Sequence, residues 1–148
     1  MKSAVIAFIA LAGFAAAAPA ATTTSSLQLN QVIVETLTES QTGRISLVVT
    51  DPSTGAQSVC YTAWDQSGPN ASTWFPCDDT SFSFNFPSSI QTIEALELLV
   101  EHDSFLGSLH LNAAAGNSIY ICQSPGAVAG TSEECTTGDS SITIQSIY

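Results

Sequence analysis

Ser81-Phe82-Ser83-Phe84-Asn85-Phe86 places an aromatic ring at every second position, with small polar residues between. Side chains of an extended strand alternate between its two faces, so the three phenylalanines share one face. The same period runs outward in both directions. Ile45, Leu47 and Val49 alternate with Ser46, Val48 and Thr50 on one side; Leu96, Leu98 and Val100 face away from Glu97 and Glu101 on the other. Further along, Ile119 and Ile121 precede Cys122, and Ile142 and Ile144 interleave with Ser141, Thr143 and Gln145. No window sustains helical periodicity. The pattern predicts an all-β domain, an antiparallel β-barrel or sandwich.

Turn chemistry separates these runs. Asp51-Pro52-Ser53-Thr54-Gly55, Ser67-Gly68-Pro69-Asn70, Phe86-Pro87-Ser88-Ser89, Ala115-Gly116-Asn117 and Thr137-Gly138-Asp139 all read as turns, with glycine supplying positive φ and proline fixing it. Gln123 to Thr137 reads as one long small-residue loop. Ser104 to Ser108 reads as a hairpin turn, in a register that sets Asp103 opposite His110 and Leu111 opposite His102. That register keeps Leu109 and Leu111 on the face of Leu98 and Val100, because a slip of one residue would flip every side chain.

The N-terminus has the form of an export signal: Lys2, an apolar stretch from Ala4 to Phe14, then small residues around Ala15 to Ala21. Residues 1–18 are expected to be a signal peptide, with cleavage within 16–21, followed by a mobile segment at 19–27 and a single β domain at 28–148. Without the leader, Arg44 is the one basic residue against thirteen acids. Phosphate binding needs clustered Lys and Arg, so neither nucleic acid nor an anionic membrane is expected as a partner.

Four cysteines in an exported domain imply disulfides. Three connectivities are open to them. Sequential pairing, Cys60 with Cys77 and Cys122 with Cys135, closes two local loops and is the expected one, each bond contributing about 3 kcal/mol. The intervals are too long for a structural zinc site. Asn70-Ala71-Ser72 is the glycosylation sequon, in an apparent turn, which makes Asn70 a candidate acceptor.

The layout Cys60, Tyr61, Trp64, Trp74, Cys77, then the Phe82 to Phe86 alternation, then Cys122-Gln123 and Cys135 before a terminal alternating strand resembles the Alt a 1-like family of fungal secreted proteins. That family includes allergens and plant-defence elicitors, and the resemblance spans roughly Val32 to Tyr148. It implies a compact β-barrel or sandwich with two intrachain disulfides, no catalytic centre, no cofactor and a role at the fungus and host interface. The aromatic residues around Cys60 and Cys77 suit a host extracellular protein, a sugar face or a small apolar ligand as partner. The family allergen's early cysteine has no counterpart before Cys60, so a covalent dimer is not expected, and the scattered lysines of better-known relatives are missing.

Catalytic constellations are sparse. Glu101-His102-Asp103-Ser104 contains the residue types of a hydrolase triad, but on one strand His102 and Ser104 would stand about 6.6 Å apart, and a nucleophile and its base need roughly 2.6 to 3.2 Å. His102 therefore reads as a strand-edge histidine, and a two-histidine metal site with His110 is not expected. Asp78-Asp79 and Glu133-Glu134 are neighbours on polar segments, whereas glycosidase carboxyls face each other across a cleft. No calcium loop is present. No catalytic or metal residue is assigned. The aromatic residues Tyr61, Trp64 and Phe75 form the candidate binding surface, with Trp74 expected in the core and Trp64 exposed. The reading is a non-catalytic effector or allergen-like binding protein; a secreted glycosidase-like hydrolase and a wall-associated structural protein are the alternatives.

Overall fold

The computed structural model describes residues 26–147 except 38–39, 66, 114–118 and 125–129. The signal-peptide reading, and most of the expected mobile segment, therefore lie outside the described residues. Among the described residues ten strands follow one another: β1 (Ser26–Leu37), β2 (Thr42–Thr50), β3 (Gln57–Trp64), β4 (Trp74–Pro76), β5 (Phe82–Asn85), β6 (Ala95–His102), β7 (Phe105–Asn112), β8 (Ile121–Gln123), β9 (Thr131–Thr136) and β10 (Ile142–Gln145). All strand pairings are antiparallel. The first described strand includes Ser26 and Leu27, and Leu27 is fully buried.

One sheet runs β3-β2-β1-β9-β8 with β10 also on β1, and the other runs β4-β5-β6-β7. Two junctions join them into a barrel. On one side Asp78 N donates to Val59 O at 2.9 Å and Cys60 is bonded to Cys77. On the other, Gly107 pairs with Ser146, and Ile147 N donates to Leu106 O at 2.9 Å.

A bulge in β1 makes this possible. The β1–β2 register shifts between Asn30 and Ile33, where Gln31 has φ 50°. The extra residue changes which positions face inward, from Leu27 and Leu29 to Val32 and Val34, and all four are fully buried. The strand bends there, so its first half pairs β10 and its second half pairs β9.

The core is the inner face of both sheets. Ile45, Leu47 and Val49 from β2, Phe82, Phe84 and Phe86, and Leu98 and Val100 from β6 are all fully buried. Burying each such side chain is worth about 1.5 to 3 kcal/mol.

Two readings need correction. The segment taken as a long loop contains β9, whose Cys135 is buried against Val34 and opposite Cys122. The β6–β7 hairpin turns at Asp103 and Ser104, with His102 opposite Phe105 and Glu97 opposite His110. A turn at Ser104 to Ser108 would have left Phe105 in water, whereas here it is drawn into the core. The face assignment stands, because Leu111 pairs Leu96 and Leu109 pairs Leu98. The expected Asp103 and His110 pair does not form; His110 Nε2 instead lies 3.3 Å from Glu97 Oε1.

Candidate binding surfaces

The two disulfides are Cys60–Cys77 and Cys122–Cys135, with no free cysteine among the described residues. Their presence is consistent with an extracellular, oxidising environment. Cys60–Cys77 does more than close a loop: it crosslinks β3 to the chain leaving β4, at the seam between the sheets.

β3 alternates cleanly, with Ser58, Cys60 and Thr62 inward and Val59, Tyr61 and Ala63 outward. Tyr61 is 57% exposed and Val59 45%. The Asp78–Val59 hydrogen bond and the Cys60–Cys77 pair fix an antiparallel register across the seam.

The two tryptophans exchange the roles expected of them. On β4, Phe75 turns inward and packs on Phe84 and Phe86, with centroids 5.5 and 6.1 Å apart. Alternation then sends Trp74 outward, where it is 40% exposed. Trp64, at the end of β3, pairs with Gly43 across the sheet. Because Gly43 has no side chain, the indole lies over it, so that a Cβ there would stand 2.3 Å from Cε2 of the ring. Its edge meets Phe86 with centroids 5.6 Å apart at 69°.

Trp64 therefore belongs to the mouth of the barrel. It lines a cleft of about 420 Å³ with Leu37, Thr42, Ile90 and Ile93. On its other side Trp64 and Phe75 share a smaller cleft with Asn70 and Thr73. The three residues proposed as one surface are thus divided: Trp64 and Phe75 meet at the mouth, and Tyr61 lies on the outer wall.

The loop between β3 and β4 is shaped by local hydrogen bonds. Ser67 donates from its backbone N, at 2.9 Å, and from its hydroxyl to Asp65; these bonds, the hydroxyl first, hold that carboxyl below its ordinary value. Thr73 N donates to Asn70 O at 3.1 Å, and Asn85 Nδ2 donates to Thr73 O at 2.9 Å. The Asn70 side chain is exposed in this loop.

At the opposite end of β6, His102 is buried rather than at a strand edge. Its ring stacks on Phe82 with centroids 3.8 Å apart. Nδ1 lies 3.2 Å from Ser81 O, and Nε2 lies 3.6 Å from Asp51 Oδ2 and 3.7 Å from Asp103 Oδ2. Both ring nitrogens thus face carbonyl or carboxylate oxygens. Asp51, fully buried, was visible in the sequence only as the first residue of a turn; it accepts from Ser53 N at 2.8 Å, Ser53 Oγ at 2.7 Å and Thr54 Oγ1 at 3.0 Å. Asp78 and Asp79 are exposed, whereas Glu133 and Glu134 are half-buried. Cys122, Glu133 and Cys135 cluster closely enough for a metal, but the two sulfurs are bonded to each other.

No family model matches this chain, and no curated protein matches it. Among solved structures it is similar to a crystal structure of the Alternaria alternata major allergen Alt a 1, with a TM-score of 0.47 and 12% identity over 82% of this chain and 91% of that one. A second crystal structure of the Alternaria alternata allergen gives a TM-score of 0.45 and 12% identity over 86% and 94%.

Proposed function

We propose that this is an exported, non-catalytic binding protein of the fungal effector or allergen-like kind, which docks an extracellular host protein on the outer wall along the β3–β4 seam. The observation that carries this reading is the exposure of Val59, Tyr61 and Trp74 on strands crosslinked by Cys60–Cys77. Tyr and Trp are the residues on which binding energy concentrates, and a crosslinked support lowers the entropy lost on docking. The sole basic residue outside the leader, Arg44, is engaged by Glu35, so the surrounding acids favour a partner whose rim is basic.

A hydrolytic role has weaker support, because His102 directs its ring nitrogens at Ser81 O, Asp51 and Asp103 rather than at a hydroxyl. Affinity capture from host extracellular fluid with the oxidised domain tests the proposal. A retained protein should be lost by a folded Tyr61→Ser, Trp74→Ser double variant. Retention unchanged by that variant, or release of reducing sugar or peptide by the purified protein, would overturn it.

A further inference from the structure

The two disulfides sit differently in the barrel. Cys60, Cys77 and Cys135 are buried, whereas Cys122 is half-buried on β8, which ends its sheet among the described residues. β8 spans only Ile121–Gln123, and β9 holds it through Ile121 with Thr136, Cys122 with Cys135 and Gln123 with Glu134. Its other side has no strand partner among those residues. We propose that Cys122–Cys135 is a thiol-exchange site, opened at Cys122 by a small thiol that carries no negative charge besides its thiolate.

Exchange proceeds by attack of a thiolate on one sulfur, in line with the bond to the sulfur that leaves. Cys135 stands opposite Cys122 across the strand pair, so a reagent that attacks Cys122 comes from the open edge of the sheet. Attack on Cys135 would have to come from the β1 side, where that residue is buried opposite Val34. A thiolate RS⁻ therefore forms its new S–S bond to Cys122 Sγ while the Cys122–Cys135 bond breaks. Cys135 leaves as a thiolate and takes a proton from water. A second RS⁻ then attacks the reagent's sulfur in the mixed disulfide, releasing the Cys122 thiolate and RSSR. Two thiols are oxidised to one disulfide as the protein's disulfide is reduced to two thiols.

Glu133 selects among thiols. A carboxylate oxygen of this residue lies within 4.8 Å of both sulfurs. A reagent with its own carboxylate brings a further negative charge toward it, whereas an ammonium group offsets the repulsion felt by the thiolate. At such distances one charge changes the rate by about fivefold after screening. Cys60–Cys77 is guarded in another way. It ties two buried positions, and β3 is paired with β2 along its whole length, so a reagent reaches it only after local opening. Once Cys122 is released, Tyr120 still anchors the chain ahead of β8 through Ile93 O at 2.6 Å. What comes free is β8 and not the core, and the edge of β9 is left open to strand addition.

This inference concerns covalent chemistry at the sheet edge and does not rest on the docking of a host protein. The test treats the oxidised secreted protein with cysteamine or with mercaptoacetate, traps free thiols by alkylation at early times and maps the peptides. Rates are normalised to thiolate concentration and to an unstructured, uncharged disulfide peptide. The reagent should appear on Cys122 with Cys135 alkylated, while Cys60–Cys77 opens at least about tenfold more slowly. Cysteamine should exceed mercaptoacetate by about fivefold, and Glu133→Gln should remove most of that preference. Mapping of the parent protein decides the site without any variant. The proposal is overturned if the reagent is first captured on Cys135, if Cys60–Cys77 opens as fast, if the two thiols react equally, or if folded Glu133→Gln keeps the full preference.

Discussion

Asp51 and His102 face each other across the two sheets, Oδ2 to Nε2 at 3.6 Å, and both are withdrawn from solvent. One stands on the turn that follows β2 and the other ends β6, so the contact joins opposite walls of the barrel. The carboxylate also organises its own turn through Ser53 and Thr54. Asp51→Ala removes the buried acceptor of these exposed donors and should cost about 1 to 2 kcal/mol. Urea denaturation of the oxidised protein would show it as a lower midpoint; an unchanged midpoint would mean that the contact contributes nothing.

Gly43 is irreplaceable for a different reason. A Cβ at this position would stand 2.3 Å from the Trp64 ring, so Gly43→Ala must displace the indole from its seat beside Phe86. The cost should be about 1 to 3 kcal/mol. In a Trp74→Phe background, where Trp64 is the only indole, the substitution should move the emission maximum to longer wavelength.

Tyr120 donates its hydroxyl to Ile93 O at 2.6 Å from a fully buried position. Tyr120→Phe leaves that carbonyl without this donor and should destabilise the domain by about 1 kcal/mol. Burial first, and Glu133 second, push the hydroxyl well above its ordinary value of 10.0. Since the folded value is the higher one, stability is full below pH 10 and falls as pH rises beyond it. Alkaline difference spectra should show the Tyr120 phenolate appearing together with loss of the fold.

On the acid side Asp79 contributes. Asp79 is held below its ordinary 3.8 by the backbone N–H of Ser81 first and by the Ser81 hydroxyl next. The unfolded chain takes up the proton first as pH falls, so this stabilisation is present above pH 3.8 and disappears as pH drops through the lower folded value. As pH falls through the ordinary carboxylate range an Asp79→Asn variant should therefore lose less stability than the parent. Parallel stability profiles for the two would refute this assignment.

Asn70 is exposed in the loop beside Trp64 and Phe75, a position open to a transferase. Protein secreted by its native host should lose mass on treatment with an Asn-glycan-releasing enzyme, and Asn70→Gln should abolish that loss. An identical mass before and after treatment would show the sequon to be unused.

Much of the fold was legible where one face is buried and the other wet. The alternations at Ile45 to Val49 and Phe82 to Phe86 have a period of two, and the structure buries the expected face of each. The cysteine pairing followed because both bonds close local loops. What escaped depended on distant partners. The inversion of faces in β1 comes from one inserted residue near Gln31, which no periodicity announces. The tight Asp103-Ser104 turn was hidden because Phe105 had to be drawn inward, and the exchange of Trp64 and Trp74 rests on a glycine in another strand. For the candidate surfaces, the aromatic types were readable, but their division between outer wall and mouth was a matter of barrel closure.

The closure by β10 also sets an order of events. Leu27 near the start of the described chain pairs Ile144 near its end, and the segment just after β10 reaches Leu106 and Gly107 on β7. Until that last strand arrives, the first half of β1 and the outer side of β7 are open edges, the kind that pair with other chains. Contacts of such long sequence separation form slowly. The nascent domain is thus most prone to aggregate in the interval before β10 is in place, and Ile142 to Gln145, only four residues long, end that exposure.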